Sequence, residues 1–236
     1  MRPTSVGVLL HEEARGLLAH AEAVRERVSG TAVLTVGTLV GSVDADASRT
    51  AAAFREAFPG AEVRIREYGL DDPSAGLRAG VVDAAITRIP FEADGITVRR
   101  LRADPVGAIL LSTDPLATRD DVALGDLAGR RWFRFPEGTD PLWAEYWTGP
   151  AASDASGASG PVVRTVQECL QAVLWSGSIG LGPGHTGSQA GLLPDGLVWV
   201  PVRDMPPSRL VVAWPTGSSN RLVERFVEVA EVVYRR

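Results

Sequence analysis

The sequence predicts an α/β protein of two lobes with a cleft between them. Three observations lead there. From residue 31 to 86, apolar runs alternate with helical stretches in the order β-α-β-α-β, which implies a parallel sheet with helices on its faces. A second set of short strands and helices fills 104–203. A last strand-like run and an amphipathic helix then return to the first set, so the chain crosses twice. The lobes are therefore drawn at 31–103 with 204–236, and at 104–203, behind a helix in 1–30.

Each element has a local cause. Residues 4–29 carry Leu9, Leu10, Leu17, Leu18, Ala21 and Val24 at helical spacing, and Ser29-Gly30 stops the helix. Thr31–Leu39 is β-branched and apolar, as in a buried strand. A turn over 41–46 leads into a helix over 47–58 with Ala51, Phe54 and Phe58 on one face, ended by Pro59-Gly60. Glu62–Glu67 alternates, with Val63 and Ile65 inward. Asp72-Pro73 is read as a helix start and Gly80 as its stop, before a strand over 81–86. Two strands flank Asp104-Pro105. The second set comprises a helical turn at 124–127, a strand at 131–135, a helix at 139–147, a short strand at Val162-Val163, and a helix capped by Thr165. Strands at 178–181, 197–202 and 210–214 and a helix over 220–234 complete the chain. The stretch 151–160 (AASDASGASG) is small and polar, hence a surface loop.

Composition narrows the function. The 236 residues carry a net charge of −5, whereas an isolated DNA-binding domain is normally basic. All 24 cationic residues are arginine. No window approaches about eighteen consecutive apolar residues, so no membrane helix is expected. The N-terminal apolar run is too short for a signal peptide, which implies a cytoplasmic chain. One cysteine, Cys169, excludes an internal disulfide and a cysteine-rich metal site. His11 and His20 lack the spacing of a helical metal pair, so no metal is expected. There is no GxSxG, Walker loop, HExxH or CxxC. The run Gly177–Gly182 enters a strand instead of opening a helix, so it is not a nucleotide fingerprint. Cys169 reads as core packing, and the pairs Asp71-Asp72 and Asp120-Asp121 as caps. No cofactor and no catalytic residue are expected, so the chain reads as a non-enzyme.

Taken in order, the segments resemble the effector-binding domain of LysR-type transcriptional regulators. They are TAVLTVGTLVGS, FREAFPGAEVRIREYG with Phe54…Phe58-Pro59, and LRAGVVDAAITRIP with Leu77…Gly80…Asp83…Ile86. LLSTDPLA follows, with Asp114 where that family usually has histidine, then DLAGRRWFRF and TVQECLQAVLWSGSIGLGP. The resemblance runs from 31 to 236. It implies two Rossmann-like lobes of the type 2 periplasmic-binding-protein kind, holding a small-molecule effector between them to control transcription. Residues 1–30 resemble the end of that family's DNA-binding region and its linker helix. The helix-turn-helix that precedes it in the family is absent from this chain, so DNA contact would come only through that missing element. The resemblance also implies a homodimer, and a tetramer in full-length form, paired through the helices at 47–58 and 165–175. A cytoplasmic solute-binding protein or an enzyme on the same fold is the alternative.

In open α/β sheets, ligands sit beyond the carboxyl ends of strands and at helix N-termini. That rule selects Gly41, Ser42 and Asp44 after the first strand, Tyr68 and Leu70 after the second, and Thr87 and Arg88 after the third. In the second lobe it selects Phe135, Thr139, Gly184 and His185. Arg88 has the chemistry to pair with a ligand carboxylate.

Overall fold

The computed structural model describes residues 32–39, 45–149, 160–184 and 193–235, together with Leu10, Ala14, Leu17, Leu18 and Ala21, which are all helical. Two sheets organise the chain. In the first, β1 (Val33–Leu39), β2 (Glu62–Tyr68) and β3 (Ala84–Ile89) run parallel, and β8 (Ser208–Pro215) lies antiparallel between β3 and β4 (Ile96–Asp104). The order is β2-β1-β3-β8-β4. The second sheet has β5 (Val106–Leu111) in the middle, with β6 (Gly180–Pro183) and β7 (Leu197–Pro201) antiparallel on either side. The chain leaves the first sheet at Asp104-Pro105 and returns between Pro201 and Ser208.

Strand alternation sorts the side chains of β1. Leu34 and Val36 face one way and pack with Phe54, Ala84, Val212, Val223, Phe226 and Val227. That face is covered by α1 (Ala45–Ala57) and α4 (Arg221–Tyr234), whose Phe54 and Phe226 meet edge to face at 5.7 Å. Leu39 faces the other way, into a cluster that also holds Val106 and Leu110 of the second sheet and Trp132, Phe133, Trp143 and Trp147. This shared cluster joins the two bodies. Trp143 and Trp147 ride on α2 (Pro141–Thr148), and α3 (Val166–Ser176) packs Leu170 and Val173 against Ile109 and Leu197.

Several sequence expectations need correction. Residues 73–80 form successive turns, not a helix: Ala75 (φ 50°) and Gly76 (φ 88°) are left-handed and break any helical run. The parallel sheet expected over 31–86 is present in β1, β2 and β3; β8 joins it from the opposite direction, and the second sheet, whose strand directions were not specified, is antiparallel throughout. The strands expected at 131–135 and 162–163 reduce to isolated bridges, Trp132 to Ile179 and Arg134 to Val162. Ala51 is exposed, and Thr50 takes the inward position beside Phe54. The helix expected from Thr139 begins at Pro141, with Asp140 as its cap.

Candidate functional site

Parallel register brings the carboxyl ends of β1, β2 and β3 to one edge: Leu39 is level with Tyr68, and Thr38 with Ile86. The segments that follow β2 and β3 are met by the second body, through Arg164 just before α3, whose carbonyl accepts from the Leu70 N–H, and through Asp140, which accepts from Arg78 and the Glu92 N–H.

Of the expected site residues, Gly41, Ser42, Asp44 and His185 lie outside the described residues. Tyr68 is half-buried, its ring lying against Gly76, where any Cβ would strike the phenol. Burial pushes its hydroxyl pKa upward. Leu70 is buried, and its N–H donates to the Arg164 carbonyl at 2.6 Å, a bond between the two bodies. Phe135 stands edge to face on Phe133 at 5.8 Å. Tyr68, Leu70 and Phe135 all pack into the shared cluster, so the structure gathers these three.

Thr87 and Arg88 point to opposite faces of β3, as adjacent strand residues must. Thr87 is buried and its hydroxyl donates to the Pro73 carbonyl at 2.6 Å, pinning the 70–80 turns to the strand. Arg88 turns toward the crossing. It donates to Asp104 Oδ2 at 2.6 Å and to Ser208 Oγ at 3.1 Å, so its guanidinium is engaged within the chain and not held out to a ligand. Thr139 donates its hydroxyl to the Pro136 carbonyl at 2.8 Å and closes the turn that carries Phe135. Gly184 donates its N–H to Pro105 at 2.7 Å and lies against the Trp199 indole, beside the crossing.

One prominent residue escaped the sequence reading. Asp140 is 5% exposed and accepts four hydrogen bonds. Oδ1 takes the N–H groups of Leu142 and Trp143, capping α2; Oδ2 takes Arg78 Nη2 and the Glu92 N–H from the opposite body. Burial alone would raise its pKa and is the largest influence. The bonds from Arg78, Glu92 and Trp143 and the Arg78 charge together outweigh it and hold the carboxyl below its ordinary value. The sequence did carry a signal: an Asp directly before a Pro at the first helical position.

The described residues offer no nucleophile with a base beside it. Cys169 is buried and its thiol is pushed up to about 12, so it is inert near neutrality. Among the described residues no group of His, Cys, Asp and Glu is arranged for a metal ion, and no helix is long and apolar enough to cross a membrane.

The family model for the LysR substrate binding domain matches residues 28–233. The chain belongs to this family and carries the effector-sensing regulatory domain of a LysR-type transcriptional regulator. No curated protein matches it. Solved structures share its fold at low identity. The BenM effector-binding domain with benzoate is 20% identical, with a TM-score of 0.65 over 86% of this chain and 92% of that one. The QuiR effector-binding domain with shikimate is 14% identical, with a TM-score of 0.68 over 86% and 97%. Full-length CbnR with its target DNA is 18% identical, with a TM-score of 0.67 over 99% and 83%.

Proposed function

We propose that this domain binds a small-molecule effector, without chemical turnover, in the cleft between its two sheets, and that occupancy controls transcription. The observation that carries this reading is the shared rim: the ends of three parallel strands, with Tyr68 and Leu70, meet Phe135 of the second body in one apolar cluster. BenM and QuiR are solved with benzoate and shikimate, which makes these two acids the first probes. Gly41, Ser42, Asp44, Tyr68, Leu70, Thr87, Arg88, Phe135, Thr139, Gly184 and His185 remain the proposed environment of the effector, with the Arg88 guanidinium already bonded to Asp104 and Ser208. The lobes span 31–103 with 204–236, and 104–203.

A melting screen with benzoate, shikimate and a metabolite panel tests this. A ligand at a hundred times its dissociation constant adds about 2.7 kcal/mol. Mass analysis should recover the ligand unchanged, and Ser42→Ala and Phe135→Ala should each weaken it about tenfold, or 1.4 kcal/mol. Conversion of the ligand, or a panel without any stabilising compound, would refute the reading.

The working form is a cytoplasmic homodimer. Support comes from exposed apolar surface: Ala51 and Ala52 on α1, Trp175 at 84% exposure on α3, and Leu10, Leu17 and Leu18 at 69%, 71% and 71%. Scattered exposed apolar residues are ordinary; a large aromatic and three leucines on helical surfaces suggest an unsatisfied interface. Sedimentation should show a dimer that Ala52→Glu dissociates; a 25.0 kDa species at all concentrations sinks the idea.

A further inference from the structure

The geometry points to Asp140 as the positioning residue of the cleft: a buried carboxylate that clasps the two bodies and sets their separation before any effector arrives. This rests on reading the cleft as the effector site. The two oxygens divide the work. Oδ1 serves its own helix, accepting from Leu142 at 3.1 Å and Trp143 at 3.2 Å. Oδ2 serves the opposite body, accepting from the Glu92 N–H at 2.9 Å and from Arg78. Arg78 also donates to the Glu92 carbonyl and lies over the Phe91 ring at 5.8 Å. The Glu92 peptide is therefore bracketed, its N–H bonded to Asp140 and its carbonyl to the arginine that Asp140 holds.

This ring fixes more than a helix end. Arg78 lies in the turns after β2, Glu92 follows β3, and Asp140 directly follows Thr139 in the turn that carries Phe135. Both rims of the cleft thus meet at one side chain that is 1% exposed. Other bonds also tie the bodies, among them Leu70 to Arg164, the Tyr146 hydroxyl to the Pro206 carbonyl at 2.7 Å and the Leu124 N–H to Asp204 Oδ1 at 2.8 Å, the last two beside the return crossing and away from the strand ends. A cap alone would need only Oδ1. The guanidinium and the Glu92 peptide give the carboxylate its second function.

Asp140→Asn separates the two functions, because asparagine caps as well as aspartate but loses the charge. Arg78→Met removes the other partner without touching the cap. Spin labels at Glu224→Cys and Asp120→Cys, both exposed and on opposite bodies, report the separation in Cys169→Ala protein diluted with unlabelled chain. The unsubstituted clasp should give one narrow distance. Each clasp variant should broaden it and lengthen it by more than about 2 Å, the scale of a domain rearrangement, with helical content retained. Distributions that superimpose on the parent in both variants would overturn the clasp. No ligand enters this measurement, so that failure leaves effector binding standing, and a failed ligand screen leaves the clasp standing.

Discussion

The two bodies are built on different chemistry. The five-stranded body packs aliphatic strands under two helices and ties its far edge with charge. Asp104, 3% exposed, accepts from Arg88 and from Arg102, and Arg102 reaches on to Asp46 in the first turn of α1 at 2.8 Å. The three-stranded body has short strands and lays aromatic rings directly on glycine backbone. Phe133 covers Gly180, and Trp199 covers both Gly107 and Gly184. Strands of four to six residues bury little width with aliphatic side chains. An aromatic ring packed against a glycine buries more apolar area per residue. The far edge of the first body is therefore sensitive to lost charge, and the ring-covered glycines of the second to added volume.

That contrast can be broken from either side. The largest effect is expected for Asp104→Ala, which removes the buried carboxylate shared by Arg88 and Arg102, at 12% and 20% exposure, and leaves Arg102 its bond to Asp46. Removing one partner of a buried pair costs about 3–5 kcal/mol, and urea unfolding should show it. Loss below 1 kcal/mol (~) would mean the network is decorative. Gly180→Ala comes next, because its methyl would enter the space of the buried Phe133 ring. Overpacking of this kind costs about 1–3 kcal/mol, whereas Gly60→Ala, which meets nothing, should be nearly silent. Equal effects of the two would erase the proposed sensitivity to volume. Thr165→Ala removes the bond from the Glu168 N–H to Thr165 Oγ1 at 3.1 Å and should cost about 1 kcal/mol. Smallest is a change of slope with acid. The Asp140 carboxyl lies below its unfolded value, so its contribution is complete above the ordinary carboxylate range. It is lost as pH falls from about 5 toward the folded value. Asp140→Asn should flatten that part of the stability curve; parallel curves would show that other carboxylates govern it.

Legibility followed the range of the interactions. β1, β2, α1 and α4 were placed because alternation and helical spacing are local, but the faces were read less well: Ile65 and Ala51, both expected inward, are exposed. The 73–80 segment was misread for a specific reason. Asp72-Pro73 has the form of a helix start, but the Asp72 carboxylate serves a loop, with Oδ1 accepting from Ser74 N–H at 3.1 Å and Oδ2 from Gly76 N–H at 2.9 Å. The antiparallel second sheet was hidden because its pairings, β5 with β6 and β5 with β7, join segments far apart in the chain. At the site, strand ends are local features and selected Tyr68, Leu70 and Phe135. Arg88 was assigned to a ligand because Asp104 and Ser208, its partners, are joined to it only by the sheet. Asp140 was missed because Arg78 stands 62 residues earlier.

The position of β8 governs how the protein is made. This strand, Ser208–Pro215, lies inside the first sheet and pairs with both β3 and β4, yet it is synthesised last of all the strands. The second sheet is complete once Pro201 has emerged, while β3 and β4 still wait with open edges. Assembly therefore runs against chain order: the body begun first is closed last, by contacts of long sequence separation that form slowly. Until residue 215 leaves the ribosome, the edges of β3 and β4 that β8 will pair stand open, and unpaired edges invite association. A chain stopped before Ser208 should be a substrate for chaperones and proteases instead of a smaller working domain.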